Sequence, residues 1–120
     1  MLSHRHSFAL ITTLYLSLTA CGSDTNHNHA KVYKYDGSVQ CNQESAIPLD
    51  EMRLELAKQG IDVICAQKAS DGLNYTTVCE SGTGNINVYT IHKSNLPDAE
   101  KLGFKSVTEL SEYQDNACHN

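Results

Sequence analysis

The chain has 120 residues, with 9 basic side chains against 14 acidic ones, a formal charge of −5, no Trp and only two Phe. That balance argues against nucleic acid or an anionic lipid surface as an electrostatic partner. So few large aromatics limit the chain to one small core, in the size range where covalent staples matter. Five cysteines and six histidines are the residues to account for.

Residues 1–7 carry Arg5, His4 and His6 and no acid, and Phe8 to Leu18 form an apolar stretch interrupted only by Thr and Ser. A basic head, an apolar segment of about 7–15 residues and a small-residue cleavage site is the layout of a signal peptide. The run is shorter than the roughly 20 residues that span a bilayer. It closes on Leu18-Thr19-Ala20-Cys21, followed by Gly22. This segment resembles the lipobox of bacterial lipoprotein precursors, and the resemblance covers only about the first 22 residues. It implies cleavage between Ala20 and Cys21 and acylation of Cys21 at its sulfur and its new amino group. Each buried methylene contributes about 0.8 kcal/mol, and one chain holds only reversibly, so several chains make a lasting anchor. With Gly22 rather than an aspartate after the cysteine, the resemblance implies delivery to the outer membrane of a Gram-negative envelope. An uncleaved anchor and an ordinary secretory signal are the competing readings, and both leave Cys21 without a role.

With Cys21 assigned to the anchor, Cys41, Cys65, Cys79 and Cys118 form an even set. None makes a Cys-x-x-Cys pair, so zinc knuckles and thioredoxin-type redox sites lack their spacing. In an oxidising compartment two disulfides are the simplest outcome, with three connectivities open. The expected organisation is a signal peptide at 1–20, a lipidated cysteine and flexible tether at 21–30, one domain at 31–110 and a polar tail at 111–120. Residues 22–30 are polar; they reach at most about 30 Å extended and about 15–18 Å as a coil. The domain is therefore expected to work near the membrane, carrying a charge of −6 from eight basic and fourteen acidic residues.

In chain order, Lys31 to Tyr35 reads as a strand, Asp36-Gly37 as a turn and Ser38 to Cys41 as a resumed strand. A helix follows over Leu49 to Gln59, with Pro48 at its start, Asp50 and Glu51 near its positive end and Gly60 at its stop. Ile61 to Ala66 reads as a buried strand, Ser70-Asp71-Gly72 as a turn and Tyr75 to Glu80 as a strand by β-propensity. A hairpin centred near Gly72 sets Cys65 opposite Cys79, the favoured pair, and leaves Cys41 for Cys118. Ser81 to Asn85 turns into a strand at Ile86 to Ile91, and a short helix runs from Asn95 or Leu96 to Gly103. Phe104 and Val107 return to the core, and Ser111 to Asn120 is tied down only through Cys118. The order β-α-β-β-β-α predicts an α+β class: a small disulfide-stapled two-layer sandwich, mainly antiparallel, with two helices on one face. Its first crossover is expected to be right-handed, and a ferredoxin-like relative stays open.

Chemistry is harder to find. His27-Asn28-His29 is a minimal metal-binding tract, since two imidazoles suit copper, nickel or zinc, but in a tether it reads better as polar filler. His92 follows a strand without an identifiable partner, and His119 lies in the tail. Ser81 to Asn85 is glycine-rich, yet a strand rather than a helix follows it, so a hairpin accounts for it better than a phosphate cradle. Asp50, Glu51 and Glu55 are explained by the helix dipole. Tyr33, Tyr35, Tyr75 and Tyr89 all fall in expected strands and suit a half-exposed contact face. No catalytic constellation and no cofactor are expected. The leading expectation is a non-enzymatic outer-membrane lipoprotein that binds a protein or envelope component. The alternative is a metal-binding or metal-delivery lipoprotein using His27 and His29, with His92 or His119.

Overall fold

Four strands form one sheet with β3 (Asn85–His92) inside it, and in β3 Ile86, Val88, Tyr89 and Ile91 are all buried. The computed structural model describes residues 25–118; Cys21 with the lipobox, and His119, lie outside the described residues. β1 (His29–Tyr35) and β2 (Val63–Ser70) flank β3, each antiparallel to it, and the two-residue β4 (Lys105–Ser106) pairs antiparallel with β1. The sheet order is β2-β3-β1-β4. β1 and β2 thus run parallel with β3 between them, a split βαβ arrangement whose crossover carries helix α1 (Leu49–Ala57). Helix α2 (Leu96–Lys101) connects β3 to β4.

Both helices cover one face. Met52 and Leu56 of α1 and Ala99 of α2 join Val32, Ile61, Tyr89, Ile91 and Phe104 in one buried cluster. Each helix stops in the same way. Gly60 donates to the Ala57 carbonyl (3.0 Å) and Ile61 to Leu56 (3.1 Å); Gly103 donates to Glu100 (3.0 Å) and Phe104 to Ala99 (3.1 Å). This is the Schellman pattern, in which a left-handed glycine closes the last turn and the next residue packs back on the helix. Ile61 and Phe104 are those next residues, both buried. Lys34 ties the layer together: its Nζ lies 2.7 Å from Glu55, donates to the Leu102 carbonyl (3.0 Å) and sits 4.8 Å over the Phe104 ring.

The opposite face carries Tyr33, Ile86 and Val88, covered by Ala69, Val107, Leu110 and Tyr113. The polar C-terminal segment is therefore held against the sheet. Lys31 pairs with Asp115 and donates to the Asn116 carbonyl (3.0 Å), and Cys118 stands at disulfide distance from Cys65 (Cα–Cα 6.2 Å). Glu112 passes so close over Gly72 that no Cβ fits there.

The α+β class, the antiparallel sheet and the helices on one face agree with the sequence reading. Three details differ. β1 starts at His29, inside the segment expected to be tether. Residues 38–41 form only isolated bridges, from Val39 to Asn42 and to Gly82. Tyr75 to Glu80 is not a strand, because β2 continues to Ser70 and already fills the edge of β3, pairing Ser70 with Asn85. Without that hairpin Cys65 and Cys79 are not opposed. Cys79 instead meets Cys41 (Cα–Cα 5.1 Å), so the pairs are Cys41–Cys79 and Cys65–Cys118.

Candidate functional site

At the end of the sheet where β1 and β2 finish, residues 36–48 and 71–84 form two irregular segments. They are joined by the Cys41–Cys79 bridge and by exchanged backbone bonds, Glu80 to the Gln40 carbonyl (3.0 Å) and Gln40 to Ser81 (2.8 Å). Asp71, the first residue of the second segment, is 1 % exposed. Its carboxylate accepts hydrogen bonds from the Tyr35 hydroxyl (2.9 Å), the Tyr75 hydroxyl and the Leu73 N–H (3.0 Å). Burial opposes ionisation of Asp71, but the bonds from Tyr75, Leu73 and Tyr35 prevail and hold its pKa below the ordinary carboxylate value. The phenols shift the other way. Burial and then the bond to Asp71 raise Tyr35, whereas the bond to Asp71 and then burial raise Tyr75.

The two hydroxyls are thus committed inward while the rings stay accessible, Tyr35 at 46 % and Tyr75 at 37 % exposure. Both rings border a recess of about 270 Å³ completed by Ser38, Val39, Thr83 and Asn85. Its polar groups are bonded to one another: Ser38 to Thr83, and the Asn85 amide to Ser38 (3.3 Å). Leu73 and Val78, on the same 71–84 segment, are exposed at 52 % and 65 %. Asp36, next to Tyr35 in the chain, is buried, accepts from the Ser38 N–H (2.9 Å) and pairs with Lys68 (3.1 Å). Burial disfavours its charge, but the Ser38 bonds and Lys68 outweigh that and lower its pKa. A fixed aromatic surface over a fully bonded polar base suits apolar and stacking contact rather than proton transfer.

Of the expected contact tyrosines, Tyr35 and Tyr75 converge here, while Tyr33 and Tyr89 are buried in opposite cores. The Tyr89 hydroxyl donates to the Leu49 carbonyl (2.6 Å). Asp50 and Glu51 stay in the first turn of α1, and Glu55 pairs with Lys34. Ser81 to Asn85 leads into β3, with Gly84 pressed against the Tyr75 ring. His27 lies in a one-turn helix, Thr25–Asn28, whereas His29 opens β1 directly opposite His92 of β3. Among the described residues no group of three or more His, Cys, Asp or Glu side chains is placed to hold a metal ion, and no helix is long and apolar enough to cross a membrane. Asp71 escaped the sequence reading because Ser-Asp-Gly has a sufficient explanation as a turn. The tyrosine four residues later was the available signal.

No family model matches the chain, and neither curated proteins nor solved structures give a match.

Proposed function

We propose that the chain is an outer-membrane-anchored lipoprotein whose small, non-enzymatic domain binds a protein or another envelope component through the Tyr35–Tyr75 surface. The observation that carries this reading is the pairing of two exposed rings whose hydroxyls are locked on buried Asp71. Such a surface is preorganised, so little side-chain entropy is lost when a partner covers it. Its place supports the same reading. The lipobox-like segment precedes β1, and Tyr35 ends β1, so the rings lie about 20 Å along the seven-residue strand from where the tether would enter. The aromatic surface would thereby lie at the end of β1 remote from the anchor.

Two experiments separate the parts of this proposal. A Cys21→Ser chain is expected to lose incorporation of labelled palmitate and to leave the membrane fraction; retention of both would overturn the anchor. A photoreactive aromatic in place of exposed Leu73 or Val78, which leaves both tyrosines on Asp71, is expected on irradiation in intact envelopes to give one defined adduct that is missing when the photoreactive group replaces the exposed Leu54 of α1 instead. Adducts only to abundant background proteins would remove the binding surface from the proposal.

A further inference from the structure

The other end of the sheet holds the two histidines that lie in strands among the described residues. His29 and His92 are direct cross-strand partners at the end of the β1–β3 ladder. Their rings stand edge to face with centroids 5.5 Å apart and planes at 65°. Directly opposed residues on antiparallel strands present their side chains on the same face, and their spacing is fixed by the ladder rather than by a mobile loop. An ion about 2.0–2.1 Å from a nitrogen of each of two imidazoles brings the ring centroids to about 5 Å at a tetrahedral angle and to about 4.5 Å at the right angle of a tetragonal site. The observed separation is within about 1 Å of both. Turning the rings so that one nitrogen of each faces the ion requires rotation about χ2, a broad and soft torsion for histidine.

We propose that His29 and His92 form a two-imidazole site for an exchangeable divalent transition-metal ion, copper(II) above nickel(II) or zinc(II). Imidazole nitrogens suit all three ions, and copper(II) heads the affinity order for a given set of such donors. No third His, Cys, Asp or Glu donor converges there among the described residues, so water or a small ligand completes the coordination sphere. A site of this kind takes up and releases its ion; it does not hold the fold together in the manner of a closed four-ligand site. His92 is exposed and His29 half-buried, which leaves the pair open to solution. The inference is independent of the aromatic surface, which occupies the opposite end of β1 and β3.

Calorimetric titration of the purified full chain with copper(II), nickel(II) and zinc(II) chlorides, in a non-coordinating buffer, tests the site. One ion per chain is expected, with copper(II) the tightest. His29→Ala and His92→Ala are each expected to weaken copper(II) binding by at least roughly tenfold, the lower bound for loss of even an outer-shell partner. Nitrogen hyperfine coupling in the copper(II) electron paramagnetic resonance spectrum is expected to report two imidazoles in the parent and one in each variant. His29→Gln and His92→Gln provide the same readout with less change in side-chain volume, and their circular dichroism verifies the fold. Binding that is absent, unchanged in the double variant, or lost only with His27→Ala or His119→Ala would overturn the proposal.

Discussion

Asp71 is the residue on which the aromatic surface depends. No cation among the described residues pairs with this buried carboxylate, and it persists because three donors satisfy its charge. Hydrogen bonds to a charged group contribute about 1.5–3 kcal/mol, so Asp71→Ala is expected to lower stability by about that amount and to free both rings. The pH dependence follows from the two directions of shift. The pKa of Asp71 is lowered on folding, so its contribution is complete above the unfolded carboxylate value of about 4 and fades as pH falls through the lower folded value. Tyr35 and Tyr75 are raised, so theirs is complete below the unfolded phenol value of about 10 and fades as pH rises beyond it. Chemical denaturation across pH is expected to show both limbs. Asp71→Ala reduces the acid limb, leaving the share owed to Asp36, and Tyr35→Phe reduces the alkaline one, leaving the shares owed to Tyr33, Tyr75, Tyr89 and Tyr113. An unaltered acid limb in Asp71→Ala would show that the carboxylate is not held as described.

At the scale of elements, the helices were legible and one strand was not. Leu49, Met52 and Leu56 at helical spacing, Pro48 before them and Gly60 after them define α1 by local chemistry, and α2 is bounded in the same way by Pro97 and Gly103. Tyr75 to Glu80 has equal β-propensity on paper, but propensity in a strand measures fit to a neighbour, and β2 had already taken the available edge of β3. The same non-local fact hid the cysteine pairing and the Asp71 clasp, since both depend on where residues 71–84 fold. β4 is two residues long and leaves almost no periodic trace. The local stop signals are directly testable. Gly60 adopts φ +72° with open space around it, so Gly60→Ala meets no steric clash and isolates the cost of a left-handed alanine. A loss of about 1–2 kcal/mol is expected in urea unfolding; a neutral result would mean that the Schellman turn does not set the end of α1.

For the whole molecule, the two bridges divide the work of holding it together. Cys65–Cys118 fastens the C-terminal segment over the second face of the sheet, where it shields Tyr33 and Val88 beside the Lys31–Asp115 pair. Cys41–Cys79 fastens the two irregular segments that carry the aromatic surface and leaves the sheet to hold itself. Their sequence separations are 53 and 38 residues, and loops of these lengths stabilise by about 4 kcal/mol each in the chain-entropy model. Similar energies with different locations predict different failures. Cys65→Ser/Cys118→Ser is expected to speed amide exchange at Tyr33 and Val88 while the photoadducts at positions 73 and 78 survive. Cys41→Ser/Cys79→Ser is expected to keep the protection of β1 and β3 but to lose those adducts, because Tyr75 is then released from Asp71. Peptide mapping without reduction fixes the starting point by recovering Cys41 with Cys79 and Cys65 with Cys118. Equal loss of sheet protection in both double variants would mean that the loop end and the sheet unfold as one unit, and that the aromatic surface is not separable from the core.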